Sequence, residues 1–401
     1  MRLSVCVFAL LGLAGGGMAQ SLAGLWDATV VVNGIEIPFR MEVSGTGQSL
    51  QGSFFNGDEK VTSTTGHFAD GRLLLSFDHY ATRLEANWRD GILEGRYDRG
   101  PRGSYPFRAK RIAPPVLPAG EVPSIAGLWE VEVRSPKGES AWRLIVRQTG
   151  PEVPAAILRV DGDTGLLTGT WRDGRFVLSH FSGARPSLLE ITPARDGSLE
   201  LRQNGKDKLL AVRSPEARAK GLPEPTNPSR HTSVRDPGEP FRFSLPDLQG
   251  KIVSNTDARF RNKVVLVVIT GSWCPNCHDE APFLEQLYRK YRDQGLEIVA
   301  LSFEEADQLQ DPTRLRAFIR QYGIEYTVLV GGEPDQLHDK LPQAVNLNSW
   351  PTTFFLGRDG RVRSVHAGFA GAASGEFHKT QKEEITASVE RLLLENASAE
   401  R

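Results

Sequence analysis

The chain contains little sulfur, with three cysteines and three methionines among its 401 residues. Cys6 lies in an apolar N-terminal stretch, and the other two cysteines form the motif Cys274-Pro275-Asn276-Cys277. If the N-terminal stretch is removed during export, no further thiol remains with which a structural disulfide could form. In an oxidising compartment, a single closely spaced pair is typical of redox chemistry and not of a disulfide framework.

The chain also lacks an excess of charge of either sign and a long apolar run. It carries 48 Lys and Arg against 49 Asp and Glu, a formal net charge of −1. This balance gives no electrostatic basis for binding nucleic acid or an anionic membrane. The apolar run from Leu3 to Leu13 is shorter than the roughly 20 residues that a membrane helix needs. We therefore expect no nucleic-acid partner and no stable membrane span.

Residues 1–19 have the pattern of a secretory signal peptide. Arg2 provides a positive charge, the apolar run follows, and small residues lead up to Ala19. This order matches the charged, apolar and cleavage regions of an export signal, which predicts cleavage after Ala19. The alternative is a buried N-terminal strand or helix. The first interpretation places the mature protein in the periplasm or outside the cell.

Proline is concentrated in two segments, residues 112–124 and 214–237. Because proline fixes φ and donates no backbone hydrogen bond, such segments favour extended linkers over packed elements. The linkers divide the chain into three predicted domains, at 21–111, 125–213 and 238–397.

The first two domains resemble each other. The sequence Gly24-Leu25-Trp26 recurs at 127–129, and the segment 65–76 recurs at 168–179 with the same spacing and without a gap. Both domains contain short runs rich in β-branched and aromatic residues, separated by Asp-Gly and Asn-Gly pairs that are typical of hairpin turns. We predict two tandem all-β repeats, each a small barrel or sandwich.

The third domain alternates between strand and helix patterns. Residues 263–269 form an almost continuous apolar, β-branched run, which is typical of a strand buried on both faces. The predicted helices are 274–293, 313–322, 336–341 and 379–395, and the other predicted strands are 241–245, 297–301, 327–330, 352–356 and 361–366. This order predicts an α/β sandwich.

The cysteine motif lies where the predicted buried strand gives way to a helix. A helix N-terminus stabilises an anion and lowers the pKa of a thiol from about 8.5 to roughly 3.5–7.5. Cys274 is therefore the candidate nucleophile. Cys277, one turn later on the same face, is the candidate resolving thiol, which would release a mixed disulfide.

Residues 238–397 resemble a thioredoxin-fold domain, and more narrowly the TlpA-like extracytoplasmic thiol-disulfide oxidoreductases. The matching segments are Ser272 to Cys277, Glu280-Ala281-Pro282, Asn348 to Leu356 and the Asp359-Gly360 turn. The helix and strand between Pro312 and Val330 resemble the insertion that such domains carry. The resemblance does not extend to the chain before residue 238.

The resemblance implies roles for four further residues. Pro351 would be a cis-proline that exposes the backbone of Trp350 to an extended substrate, and Trp273 would flank the nucleophile. Glu280 would accept the proton of Cys277, because a carboxyl among apolar neighbours titrates close to neutral pH. Thioredoxin usually holds its acid in the preceding strand, where this chain has apolar residues such as Val268.

Purely structural roles for these four residues are also compatible with the sequence. Glu280 could be a solvated helix residue, the two tryptophans could simply pack, and Pro351 could be a trans turn proline.

The sequence thus predicts an exported disulfide reductase without a cofactor or metal, whose partners are a disulfide-containing protein substrate and a thiol electron donor. Three alternatives belong to other classes. With His278, the motif also reads Cys-x-x-Cys-His, the attachment site of c-type haem. Structural zinc would need two ligands beyond the two thiolates. Finally, the β-repeats could bind a ligand or partner, with the redox domain ancillary.

Overall fold

The computed structural model describes residues 22–114, 121–206 and 208–395. The predicted signal peptide, residues 1–19, lies outside the described residues, as does the middle of the first proline-rich segment. Among the helices of the described ranges, none combines the length and the apolar composition that crossing a bilayer requires.

The N-terminal part contains two curled all-β sheets of nine strands each. The first sheet has the strand order β4-β3-β2-β1-β9-β8-β7-β6-β5, so its first and last strands are neighbours at the centre. Its strands are β1 (Gly24–Val32), β2 (Ile35–Ser44), β3 (Gln51–Asn56), β4 (Glu59–Thr62), β5 (Thr65–Ala69), β6 (Arg72–Phe77), β7 (Thr82–Arg89), β8 (Ile92–Asp98) and β9 (Ser104–Arg111).

The second sheet repeats this order nine strands later, as β13-β12-β11-β10-β18-β17-β16-β15-β14. Its strands are β10 (Gly127–Glu132), β11 (Ala141–Val146), β12 (Ala155–Arg159), β13 (Gly162–Asp163), β14 (Thr168–Arg172), β15 (Arg175–His180), β16 (Ser187–Pro193), β17 (Leu199–Gln203) and β18 (Leu209–Arg213).

Alternating side chains explain why these segments form half-buried strands. In β1, Trp26, Ala28 and Val30 are buried while their neighbours are not, so one face of the strand packs into the core. The hairpin between β5 and β6 turns at Asp70-Gly71, where both residues have positive φ (51° and 74°). Such turns favour Asp or Asn followed by Gly, which explains the Asp-Gly pairs in the sequence.

The segment between the second sheet and the C-terminal domain contains short regular elements. Helices α1 (Ser214–Ala217) and α2 (Pro228–His231) lie there, and strand β19 (Ser233–Val234) pairs with β25 (Ala344–Val345). The end of this proline-rich segment therefore packs against the C-terminal domain.

The C-terminal domain is a five-stranded mixed sheet of order β24-β23-β22-β26-β27 with helices on both faces. Strands β22, β23 and β24 are parallel, and β26 and β27 are antiparallel to their neighbours. Its remaining elements are β20 (Ser244–Pro246), β21 (Ile252–Ser254), β22 (Val264–Thr270), α3 (Pro275–Tyr291), β23 (Leu296–Phe303), α4 (Ala306–Gln310), α5 (Thr313–Tyr322), β24 (Thr327–Gly332), α6 (Leu337–Lys340), β26 (Thr352–Leu356), β27 (Val362–Ala367) and α7 (Glu376–Leu394).

Strand β22 is central and buried along its whole length, as its continuous apolar run predicts. Helices α3 and α7 pack on one face, through residues such as Leu284 and Val389. The predicted strand at 241–245 is wrong in position. Phe241 and Phe243 are buried in the core on the opposite face, and only Ser244–Pro246 pairs, with β21 and outside the main sheet.

Candidate active site

The cysteine pair lies at the junction of β22 and α3, where the predicted strand-to-helix change places it. Cys274 is the N-cap of α3, and its Sγ accepts a hydrogen bond from the backbone N–H of Cys277 at 3.4 Å. Both thiols are free, and both residues are buried, with Cys274 3% and Cys277 1% exposed. A sulfur held against the free N–H groups of a first helical turn is favoured as an anion.

The two thiols have different surroundings. Burial is the main cause that raises the pKa of Cys277 well above its usual value, and the adjacent Cys274 adds to this shift. The charge of Glu280 acts in the same direction. Cys277 therefore keeps its proton until a base takes it, which is the property that a resolving thiol needs.

Glu280 lies one helical turn after Cys277 and is only 2% exposed, so the alternative of a solvated Glu280 is wrong. Thr353 in β26 donates a hydrogen bond from Oγ1 to Glu280 Oε1 at 3.2 Å. Burial raises the pKa of Glu280 to about 8, and the Thr353 hydrogen bond opposes that shift. The carboxyl can therefore bind and release a proton near neutral pH.

The loop before β26 faces Cys274. The Trp350–Pro351 peptide bond is cis, and the Cys274 thiol donates to the carbonyl oxygen of Trp350 at 3.6 Å. The rings of Trp273 and Trp350 meet edge to face, with centroids 5.3 Å apart. Trp273 Nε1 donates to the Phe303 carbonyl at 2.9 Å, which fixes its ring beside the cysteine pair. The structure thus brings together all six predicted site residues, which are Trp273, Cys274, Cys277, Glu280, Trp350 and Pro351.

His278 follows the pair and is enclosed by protein. Nδ1 lies 2.9 Å from the Tyr322 hydroxyl, and Nε2 lies 2.8 Å from the Ser272 carbonyl oxygen. Burial holds the pKa of His278 well below its usual value. Both ring nitrogens are engaged inside the domain, so this arrangement offers neither of them to a haem iron.

A buried ion pair next to Ser272, two residues before Cys274, was not predicted from the sequence. Arg314 and Glu304 have side chains that are 1% and 0% exposed, and they meet at 2.9 Å. Glu304 Oε1 accepts from the Ser272 N–H at 2.8 Å, and Arg314 Nε donates to Ser272 Oγ at 2.7 Å. These contacts hold the bend that leads into Cys274. The only signal in the sequence was that Arg314 falls on the apolar side of α5.

Contacts between the β-sheets and the cysteine motif were also missed. Asn276, inside the motif, donates from Nδ2 to the Asp161 carbonyl at 2.6 Å. Asp279 in α3 forms a 2.6 Å ion pair with Arg185 of the second sheet. From the first sheet, the Tyr80 ring packs on His278 with centroids 4.3 Å apart. The β-sheets therefore form part of the surroundings of the site.

Comparison with known proteins places the similarity in the C-terminal part of the chain. Residues 237–365 match the AhpC/TSA family. Thiol-disulfide oxidoreductase ResA of Bacillus thuringiensis subsp. konkukian is 33% identical over 122 residues, which cover 30% of this chain and 62% of that protein. ResA of Geobacillus thermodenitrificans is 29% identical over 126 residues, 31% of this chain and 66% of that protein.

A solved structure of a thiol:disulfide interchange protein of the thioredoxin family from Chlorobium tepidum is 22% identical. It covers 40% of this chain and 99% of its own, with a TM-score of 0.32. The chain spans less than two thirds of the length of the two curated relatives named above. The family match and the relatives confirm the predicted resemblance of the C-terminal part: residues 237–365 match the AhpC/TSA family and are similar to thiol-disulfide oxidoreductases of the ResA type.

Proposed function

We propose that this protein is an exported disulfide reductase that acts by dithiol–disulfide exchange at Cys274 and Cys277. The observation that carries the proposal is the placement of Cys274 at the N-cap of α3, with Cys277 and the high-pKa carboxyl of Glu280 following along the helix. The names of the ResA relatives agree with this chemistry. The substrate is a protein disulfide, and the electrons come from a thiol donor.

In the first step, the Cys274 thiolate attacks one sulfur of the substrate disulfide. The substrate S–S bond breaks, a mixed disulfide forms at Cys274, and the departing substrate thiolate takes up a proton. A helix N-terminus keeps more of a thiol in the reactive thiolate form and makes it a better leaving group, so Cys274 suits this position. The Trp350 carbonyl oxygen beside Cys274 Sγ is a backbone acceptor with which an extended substrate can pair.

In the second step, Glu280 takes the proton of Cys277, and the resulting thiolate attacks Cys274 Sγ. The mixed disulfide breaks, the second substrate thiol leaves, and a Cys274–Cys277 disulfide remains. Two electrons have then passed from the dithiol to the substrate. A thiol donor returns the enzyme to its dithiol state by the reverse sequence of exchanges.

We also propose that the two β-sheets are a tandem pair of related domains, at 21–111 and 125–213, each closed into a small barrel or sandwich. Their matching strand order supports this relationship. So do two equivalent tryptophans: Trp26 Nε1 donates to Leu22 O, and Trp129 Nε1 donates to Ile125 O. In each case an arginine of the last strand, Arg111 or Arg213, covers the indole ring.

The remaining boundaries belong to the same proposal: a signal peptide at 1–19, linkers at 112–124 and 214–237, and a redox domain at 238–397. Cleavage after Ala19 would deliver the mature chain to the periplasm or the medium. N-terminal sequencing of protein recovered from the periplasm tests this, since a mature protein beginning with Met1 would contradict export by cleavage.

The decisive experiment measures disulfide reduction and the redox potential of the same protein. We expect wild-type protein to reduce bis(2-hydroxyethyl) disulfide, and Cys274→Ser to lose this activity; equal rates in the two proteins would contradict the assignment. Equilibration with glutathione then gives the direction of electron flow. A potential near the thioredoxin value of about −270 mV supports a reductase, and one near about −120 mV would indicate an oxidase instead.

A further inference from the structure

Three loops surround the cysteine pair, and each of them contacts the second β-sheet. They are the cysteine motif itself, the loop before Pro351 and the loop between β27 and α7. Asn276 Nδ2 donates to the Asp161 carbonyl at 2.6 Å, and Asn348 Nδ2 donates to the Lys137 carbonyl at 3.4 Å. In the third loop, the Phe369 N–H donates to the same Asp161 carbonyl at 3.4 Å.

Residues 160–163, here named the 160–163 turn, follow β12 and include β13, and they approach the redox domain backbone to backbone. Gly162 pairs with Phe369 as a parallel bridge. A Cβ at Gly162 (φ 124°) would collide with the Phe369 carbonyl oxygen and would lie 2.7 Å from Asn276 Nδ2. A Cβ at Gly368 would collide in turn with the Val160 carbonyl oxygen. Glycine on both sides permits this backbone-to-backbone contact.

A buried group of charges holds the 160–163 turn against the redox domain. Arg185 of the second sheet pairs with Asp279 of α3 at 2.6 Å and lies 3.7 Å from Asp163 in the turn. The side chain of Asp163 is 1% exposed, and its Oδ2 accepts the Ser374 N–H at 3.2 Å. Arg185 is a counter-charge to both carboxylates, so these contacts link the turn to α3 and to the loop before α7.

This contact occupies backbone N–H and C=O groups that lie beside the cysteines. An extended substrate chain could otherwise pair with these groups. Recognition by strand addition needs free N–H and C=O groups at an edge. The Phe369 N–H is already paired with the turn, and Asn276, between the two cysteines, is only 8% exposed. Trp273 and Trp350 remain half-buried beside Cys274, and Pro275, also half-buried, lines a cavity together with Tyr80 and Arg185 of the β-sheets.

We infer that the 160–163 turn is a wall of the substrate cleft that makes the enzyme select disulfides by size. Small disulfides, and protein disulfides in flexible chain segments, reach Cys274 past Trp273 and Trp350, whereas a disulfide held within a folded domain is excluded because its flanking chain collides with the second sheet. This inference rests on the proposed function and specifies the substrate class of the same site. The exchange steps and their electron balance are those given above.

The test compares two substrates in full-length protein. The variant Gly162→Val forces the turn away from Phe369 and Asn276. The control Gly174→Val also places a branched residue at a positive φ (78°) in the second sheet, but a Cβ there meets no atom within 4 Å. We expect the ratio of kcat/KM for insulin to kcat/KM for bis(2-hydroxyethyl) disulfide to rise at least tenfold in Gly162→Val. In Gly174→Val the ratio should stay within twofold of wild type.

The outcomes separate the two proposals. Wild-type protein without activity on the small disulfide would overturn the proposed function itself. An active wild type whose substrate ratio is the same in Gly162→Val would overturn the size selection alone. Circular dichroism verifies that the variant is folded.

If Gly162→Val does not fold, wild-type protein supplies the answer. Reduced protein is alkylated with N-ethylmaleimide and with a maleimide on a 5 kDa polyethylene glycol, and the rate ratio at Cys274 is compared with that of the same protein unfolded in urea. We expect the bulky reagent to be disfavoured at least tenfold more in the folded protein. An equal ratio in the two states would overturn the inference.

Discussion

Thr353 donates a hydrogen bond to the buried carboxyl of Glu280, across the interface between β26 and α3. This bond partly offsets the effect of burial, which raises the pKa of the carboxyl to about 8. The pair places an ionisable group inside the domain, one turn from the resolving thiol. Its protonation is therefore coupled both to the stability of the domain and to the second step of the exchange.

The contribution of Glu280 to the stability of the protein should fall as the pH rises from about 4.5 to 8. Because the pKa of Glu280 is higher in the folded state, the stabilisation is complete below the unfolded pKa and is lost as the pH approaches the folded one. Glu280 contributes about 1.4 kcal/mol of lost stability per pH unit in this window. Glu280→Gln lacks this contribution. Its unfolding free energy, measured relative to that of wild type, should therefore increase by roughly 3 kcal/mol between pH 5 and pH 7.5.

Urea unfolding of reduced protein at pH 5, 6.5 and 7.5 measures this effect. The exposed Glu383→Gln, on α7, is the matched control for the loss of one carboxyl. Parallel pH profiles for wild type and Glu280→Gln would contradict the raised pKa.

The same carboxyl should control the lifetime of the mixed disulfide. A positioned general base contributes roughly 10²–10⁴-fold to a proton transfer, so we expect Glu280→Gln to slow the release of substrate by about 100-fold at pH 7. In wild type, this rate should rise with pH through the Glu280 pKa of about 8, where half of the carboxyl is ionised, and level off above it. Acid quenching and mass spectrometry of the trapped intermediate give the rate. A slowed first attack, with normal release, would assign Glu280 a different role.

The two cysteines should give opposite trapping results. Cys277→Ser removes the resolving thiol but leaves Cys274 at the helix N-cap, so a stable mixed disulfide with substrate should accumulate. Cys274→Ser should form no such adduct, because Cys277 is fully buried and its pKa is raised. Mass spectrometry after incubation with bis(2-hydroxyethyl) disulfide distinguishes the two variants. Equal adduct yields would mean that either sulfur can attack.

Local patterns predicted the elements of the redox domain closely. Helix α5 covers the predicted residues 313–322, where apolar side chains recur at helical spacing and Gly323 adopts φ 59° as the cap. Strand β22 differs from its prediction by one residue at each end, because a continuous β-branched run specifies a buried strand. The cysteine pair was found for the same reason, since strand, turn and helix N-terminus are encoded by neighbouring residues.

Contacts between distant segments were not predictable in this way. Asn276 meets Asp161 across 115 residues of sequence, and neither residue has a pattern that indicates which surface it contacts. Phe241 and Phe243 alternate with polar residues, which fits a strand. Tertiary packing instead places both side chains in the core, and neither residue belongs to a strand of the main sheet. Arg314 and Glu304 were also missed, because charged residues are buried only with a partner, and that partner is fixed by the fold.

The Arg314–Glu304 pair provides the last prediction. Arg314 also pairs with the partly exposed Glu305 at 2.6 Å. Arg314→Met leaves the buried Glu304 without its counter-ion and should cost about 3–5 kcal/mol of unfolding free energy, whereas Glu304→Met leaves Arg314 paired with Glu305 and should cost less. The double substitution should cost much less than the sum of the two, because no uncompensated buried charge remains. Arg316→Ala, on the same helix, is the control: it breaks an exposed pair with Asp311 at 3.8 Å, and should cost at most about 1 kcal/mol. Urea unfolding of the four variants completes the cycle, and additive losses would show that the pair does not act as a unit.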